Sequence, residues 1–204
     1  MALESYLRQD YENRELIIVD DGIDAIGDLV PRGEGITHLR LEQDAKNLAV
    51  KRNIGIKLAT GDIICHFDAD DYSGPQRVSR QVEMLLSNPD AKIAGFNVVH
   101  WWCYQTRQAS RFTGGIWGAT FAYWKSYAEG HPWNEEIAFV EDVDFLQPAL
   151  DANQIVACDG RDQFVAGMPN GNVQRFPIGK SEWKELWPIV PVTDLPEGFR
   201  EFIH

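Results

Sequence analysis

Residues 62–71 read Asp62-Ile63-Ile64-Cys65-His66-Phe67-Asp68-Ala69-Asp70-Asp71, a short apolar run that ends abruptly in three carboxylates. An apolar run of this length, bounded by turn residues, reads as a buried strand feeding a polar turn. Upstream, Ala45–Ala59 carries Leu48, Ala49, Ile54, Ile56 and Leu58 and is closed by Gly61, which predicts a helix with a glycine-containing cap. Downstream, Gly74-Pro75 breaks the chain before Arg77–Leu86, where Val78, Val82, Leu85 and Leu86 share a helical face. After the turn Asn88-Pro89-Asp90, Lys92–Val99 reads as a strand. Nearer the start, Glu15–Val19 is an apolar strand that stops at Asp20-Asp21-Gly22, and Ile36–Leu41 alternates as a second. Ala2, Leu3, Tyr6 and Leu7 place a helix at the very start. Strands alternating with helices predict an α/β fold, a mostly parallel sheet flanked by helices. In such sheets ligands bind beyond the carboxyl ends of the strands, and both aspartate clusters lie there.

The chain has 204 residues, 44% of them hydrophobic, enough for one domain with a substantial core. Residues 1–175 form the expected domain, and 176–204, rich in Trp and Pro, form a C-terminal tail that packs on it. Lys and Arg number 19 against 31 Asp and Glu, a net charge of −12. That field repels phosphate backbones and anionic lipid, so nucleic acid is not an expected partner. A nucleotide remains compatible where a divalent cation lies between the charges. Cys65, Cys103 and Cys158 are odd in number, widely spaced and without a CxxC pair, which fits buried free thiols in a reducing compartment. With no apolar run long enough to cross a bilayer and no signal peptide, the expected location is cytoplasmic.

Asp68, Asp70 and Asp71 crowd three carboxylates behind a buried strand, and a divalent cation is the simplest relief of their repulsion. Such hard oxygen ligands suit Mg²⁺ or Mn²⁺ bridged to substrate phosphates, whereas the bland alternative is a solvated acidic turn. Asp20 and Asp21 could accept from a base N–H or ribose hydroxyls, or simply satisfy their own Asp-Gly turn. Glu141-Asp142-Val143-Asp144 precedes an apolar helix-like stretch. A carboxylate there could act as a general base toward an acceptor hydroxyl, or only cap the helix. Arg52-Asn53 could point cationic and amide donors at a nucleotide. Trp117, between Gly114-Gly115 and Gly118, could offer a sugar a flat stacking face or fill the core. The five histidines show no ligand spacing and carry no assignment.

The strings Gln9–Gly22 and Lys51–Asp71 resemble the family 2 glycosyltransferases of the GT-A fold, and the Glu141-Asp142 pair matches in order and spacing. The resemblance covers about residues 2–150. It implies a Rossmann-like sheet and an inverting, metal-dependent transfer from a nucleotide-diphosphate sugar, most simply a UDP-sugar, to a hydroxyl on a glycan, lipid-linked or other acceptor. Asp21, with Asp20, would hold the base, Arg52 would lie near the nucleotide, and Asp68 would contact ribose. Asp70 and Asp71 would hold Mn²⁺ or Mg²⁺, Glu141 would line the site, and Asp142 would be the catalytic base. Two departures stand out. The family begins with a buried strand ahead of the helix where this chain starts, so the first strand is expected to be missing. The native protein would then be longer, or another segment would compensate, and a homo-oligomer is one way to do so. Many relatives also carry a His near residues 164–172 that completes the metal site, and this stretch has none. Metal binding is therefore expected through the aspartates, diphosphate and water. Two alternatives are an inactive nucleotide-sugar-binding remnant and a phosphotransferase of the haloacid dehalogenase type. The second would want Thr or Val two residues after Asp70, where Tyr72 stands.

Overall fold

One strand organises the molecule. In the computed structural model, which describes residues 1–24, 26–42, 45, 47–137, 139–168 and 187–203, the run Ile93–Cys103 forms β5, eleven residues long and buried along nearly its whole length. Preceding it are α1 (Ala2–Leu7), β1 (Leu16–Asp20), β2 (Ile36–Arg40), α2 (Leu48–Leu58), β3 (Ile63–Cys65), β4 (Tyr72–Ser73) and α3 (Arg77–Ser87). Following it are β6 (Gln108–Thr113), β7 (Ala122–Trp124), α4 (Lys125–Gly130), α5 (Glu141–Asp151), β8 (Ile155–Asp159), β9 (Phe164–Met168), β10 (Ile189–Val190) and α6 (Glu197–Arg200).

β5 pairs along both edges. On one it meets β7 at Ile93–Ala94 and β6 from Val98 to Cys103, both antiparallel. On the other it meets β8 from Ile93 to Val98 and β9 from His100 to Cys103, both parallel. Burial along nearly all of its length explains its mostly apolar reading, interrupted at Asn97 and His100. The fold is the expected α/β class, with parallel pairing in β1–β2, β5–β8 and β5–β9. The β5–β6–β10, β5–β7–β3 and β4–β9 pairings are antiparallel.

β1 and β2 form a two-stranded sheet of their own beside the eight-stranded one. Among the described residues no strand pairs with the second edge of β1 or of β3. The base of β1 is nonetheless tied to β3, because Glu15 Oε1 accepts from the Thr60 N–H at 2.6 Å and the Gly61 N–H at 2.9 Å.

The helix expected over 45–59 begins at Leu48, because Asn47 takes the cap position and its Oδ1 accepts from Val50 N–H at 3.2 Å. On α3, Val78, Val82 and Leu85 face the core as the spacing required. Phe121, Tyr123, Trp133, Phe145 and Ala149 pack one core, and Phe96, Trp101, Phe164 and Trp187 another. Leu195, Phe199 and Ile203 cover Tyr72, Trp102 and Val165. Residues 175 and 176, Trp183 and the stretch 169–172 lie outside the described residues. Among those described, no helix is long and apolar enough to cross a membrane.

Candidate active site

β3 releases the chain at His66, and the turn Asp68–Asp71 closes with Asp71 N–H donating to the Asp68 carbonyl at 3.3 Å. Asp70 is exposed, Asp68 half-buried and Asp71 buried. The Asp71 Oδ1 accepts from the Gly167 N–H on β9 at 2.9 Å. Gly167 is required there: a Cβ would stand 2.1 Å from the Asp70 carbonyl oxygen. Burial, reinforced by the Asp68 and Asp70 charges, pushes the Asp71 carboxyl well above the ordinary 3.8. Burial also raises Asp68, helped by the charges of Asp70 and Asp142 and opposed by Arg52 and Arg77. Carboxylates held so expensively suit a cation, and two of them come from a turn that a strand end positions. Among the described residues no three carboxylate, imidazole or thiol groups converge on one metal position, so the remaining ligands would be non-protein ones.

Asp142 comes from the first turn of α5. Its Oδ1 accepts from its neighbour Val143 N–H at 3.0 Å and its Oδ2 from Gly118 N–H at 3.2 Å. α5 enters through Val140 in the left-handed region, φ 58° and ψ 25°, an unfavourable conformation for a β-branched residue. Such strain beside a carboxylate pair is characteristic of a functional segment. Glu141 pairs with Arg52 at 3.1 Å, and the Arg52 guanidinium lies 4.1 Å from the centre of the Trp133 ring. Arg52 thus joins α2 to α5 beside Asp68. Asn53 does not turn toward this cleft. It is buried, donating to the Trp133 carbonyl at 2.8 Å and Glu135 Oε1 at 2.9 Å and accepting from Trp133 N–H.

At the end of β1, Asp20 and Asp21 are both engaged. Burial works against Asp20 ionising, but Gly22 N–H at 2.9 Å, Arg40 at 2.8 Å and His38 outweigh it and hold the carboxyl below 3.8. Lys51 at 2.7 Å does the same for Asp21, with Ala45 N–H at 3.1 Å. Each carboxylate oxygen keeps further accepting capacity. The Trp117 ring meets Trp101, Phe112 and Trp187 edge-on at 4.9–5.9 Å. Its Nε1 has no hydrogen-bond partner among the described residues.

Two residues not singled out in the sequence underlie the site. Arg77 is fully buried between the Phe67 and Phe164 rings and donates to Ser73 Oγ, the His66 carbonyl, the Ala119 carbonyl and Gln81 Oε1. It locks β3's end to the Gly118–Thr120 turn. His66 is buried too, with Nδ1 3.0 Å from the Gly118 carbonyl and Nε2 2.9 Å from the Tyr123 hydroxyl. The signal available was a polar ring inside an apolar strand.

The Asp68–Asp71 turn at the end of β3 and the acidic first turn of α5 therefore make this strand end the candidate site of an α/β sheet. The sequence profile of Glycosyl transferase family 2 matches residues 1–143, and the chain belongs to that family. An uncharacterized glycosyltransferase of Haemophilus influenzae is 33% identical over 89 residues, 41% of this chain and 35% of that protein. The glucosyl-dolichyl phosphate glucuronosyltransferase of Haloferax volcanii is 33% identical over 104 residues, 50% of this chain and 33% of its own length. A UDP-Glc:alpha-D-GlcNAc-diphosphoundecaprenol beta-1,3-glucosyltransferase of Escherichia coli is 32% identical over 86 residues, 41% of this chain and 34% of its own. The chain spans about a third of the length of these curated relatives. Among solved structures, S. aureus TarS 1–349 in complex with UDP-GlcNAc superposes with a TM-score of 0.64 at 17% identity, over 90% of this chain and 59% of that one. That likeness is one of fold, and the fold is GT-A.

Proposed function

We propose that this chain transfers a sugar from a nucleotide-diphosphate sugar, a UDP-sugar, to an acceptor hydroxyl with inversion at the anomeric carbon and with the help of a divalent metal. One observation carries the reading: Arg77 donates to the carbonyl of His66, just ahead of the Asp68–Asp71 turn, and to that of Ala119, whose neighbour Gly118 donates to Asp142 Oδ2 at 3.2 Å, so acidic groups far apart in sequence are held at one place. Asp20 and Asp21 would meet the uracil, Asp68 the ribose, and Arg52 with Glu141 would border the nucleotide. Trp117 would meet the sugar. Asp70 and Asp71 would hold Mn²⁺ or Mg²⁺, which when bound neutralises charge on the departing diphosphate.

Asp142 takes the proton of the acceptor hydroxyl. The acceptor oxygen then bonds to the anomeric carbon while the bond from that carbon to the diphosphate oxygen breaks, and UDP leaves with the electron pair. The names of the Escherichia coli and Haloferax relatives specify lipid-linked phosphate or diphosphate acceptors, which supports a lipid-linked glycan as the acceptor class. Three free thiols support a reducing, cytoplasmic compartment. We assign catalysis to residues 1–175 and a packing role to 176–204.

Calorimetric titration of UDP with and without Mn²⁺, on wild type and Asp70→Ala, tests the donor site. Metal-dependent binding lost in the variant supports the reading. Binding without release of sugar from UDP-glucose or UDP-N-acetylglucosamine would favour a nucleotide-binding remnant. A folded protein that takes no UDP at all would overturn both.

A further inference from the structure

We propose that His66 is a positioning residue for the transfer step, acting through Gly118 to fix the orientation of the Asp142 carboxylate. The inference rests on Asp142 being the base. Its physical basis is a closed chain of hydrogen bonds in the core. The Gly118 carbonyl can only accept, so the His66 Nδ1 at 3.0 Å carries the proton. Nε2 is then the acceptor and takes the Tyr123 O–H at 2.9 Å. The Tyr123 oxygen in turn accepts from Trp133 Nε1–H at 3.3 Å. Every donor in this chain has one acceptor, so its direction is fixed.

The far end of the chain is the base. Gly118 offers its carbonyl to His66 and its N–H to Asp142 Oδ2 at 3.2 Å. A Cβ on Gly118 would fall 2.7 Å from the Asp142 Cβ, so the carboxylate sits directly on this turn. Among the described residues the other Asp142 oxygen takes the neighbouring Val143 N–H, which leaves Gly118 as the donor that reaches the carboxylate from outside α5. His66 also grips the turn through its main chain, its N–H donating to the Phe121 carbonyl at 3.0 Å. Two residues further on lies Asp68. One imidazole therefore ties the turn bearing the nucleotide and metal ligands to the turn that holds the base. Burial, with the Arg52 and Arg77 charges, keeps the ring neutral, so this tautomer persists across the working pH range.

Amide hydrogen exchange at Gly118, followed by NMR, reads the proposed link without needing a substrate. In His66→Phe the Gly118 amide should exchange about tenfold faster, the factor expected for one lost hydrogen bond. In His66→Asn, whose amide nitrogen replaces Nδ1, protection should return to near the wild-type value. Should His66→Phe fail to fold, Tyr123→Phe removes a single oxygen and should still loosen Gly118. With UDP-N-acetylglucosamine and Mn²⁺, the same variants should lower kcat for UDP release about tenfold and leave KM within about twofold. Unchanged Gly118 exchange in folded His66→Phe and Tyr123→Phe would overturn the proposal, as would equal exchange in His66→Asn and His66→Phe. The base reading fails separately if Asp142→Asn keeps the wild-type rate of UDP release.

Discussion

At Asp71, burial and the Asp68 charge push the carboxyl well above 3.8, so the folded chain keeps a proton that the unfolded chain releases. That group's contribution to stability therefore falls as pH rises from 3.8 through the folded value, and the penalty is complete above it. Asp71→Asn should raise Tm by a few degrees at pH 7, with the gain vanishing toward pH 4, and should abolish Mn²⁺-dependent UDP binding. Differential scanning calorimetry at several pH values, paired with calorimetric titration, checks both halves. His66 has the opposite sign. Its ring is held well below 6.5 by burial, with Arg52 and Arg77 adding to it. The unfolded chain gains a proton that the folded ring refuses, so stability is lost as pH falls below 6.5. A folded His66→Phe should lose that acid sensitivity in urea titrations between pH 7 and 5. The acidic residues of the candidate site stood out in the sequence because Asp68, Asp70 and Asp71 crowd one strand end and Asp142 lies in the acidic first turn of α5. His66 was not, since its role depends on Gly118, Tyr123 and Trp133, which only the fold brings to it.

Among the elements, α2 shows how a single side chain sets a boundary. The apolar pattern alone allowed a start at Ala45, but Asn47 satisfies Val50 N–H and also donates to the Glu135 carbonyl at 2.7 Å. Asn47→Ala removes the cap and the tether together, and should cost about 1 to 2 kcal/mol in urea unfolding. α5 is anchored by the Trp133–Phe145 stack, 4.1 Å between ring centres and 5° from parallel. Phe145→Ala should cost about 3 to 5 kcal/mol and lower turnover through Asp142, with chemical denaturation as the check. β5 extends past the expected Val99 to Cys103, because Trp101 and Trp102 find ladder partners in β6 and β9. The β9 partners, far along the chain, leave no mark on local periodicity. β6 and β7 were equally hidden in the aromatic, irregular second half, where tertiary pairing decides the strands and propensity does not.

Across the whole molecule, the β1–β2 pair stands apart from the eight-stranded sheet and is joined to it through α2 and Glu15. Its amides should exchange with solvent faster than those of β5, and hydrogen–deuterium exchange with mass spectrometry resolves the two. The acidic excess of −12 loads the folded state with self-repulsion. Moving from low ionic strength to about 0.15 M should therefore raise Tm. β5 carries a further consequence during synthesis. Its partners on one edge, β6 and β7, emerge soon after it, but Ile93 waits for Ile155 and His100 for Val165, some 60 residues later. At about 5 to 20 residues per second the ribosome leaves that edge bare for roughly 3 to 12 s. The nascent chain thus carries an open, aromatic-rich strand through the crowded exit region, an unpaired edge of the kind that holdase chaperones cover.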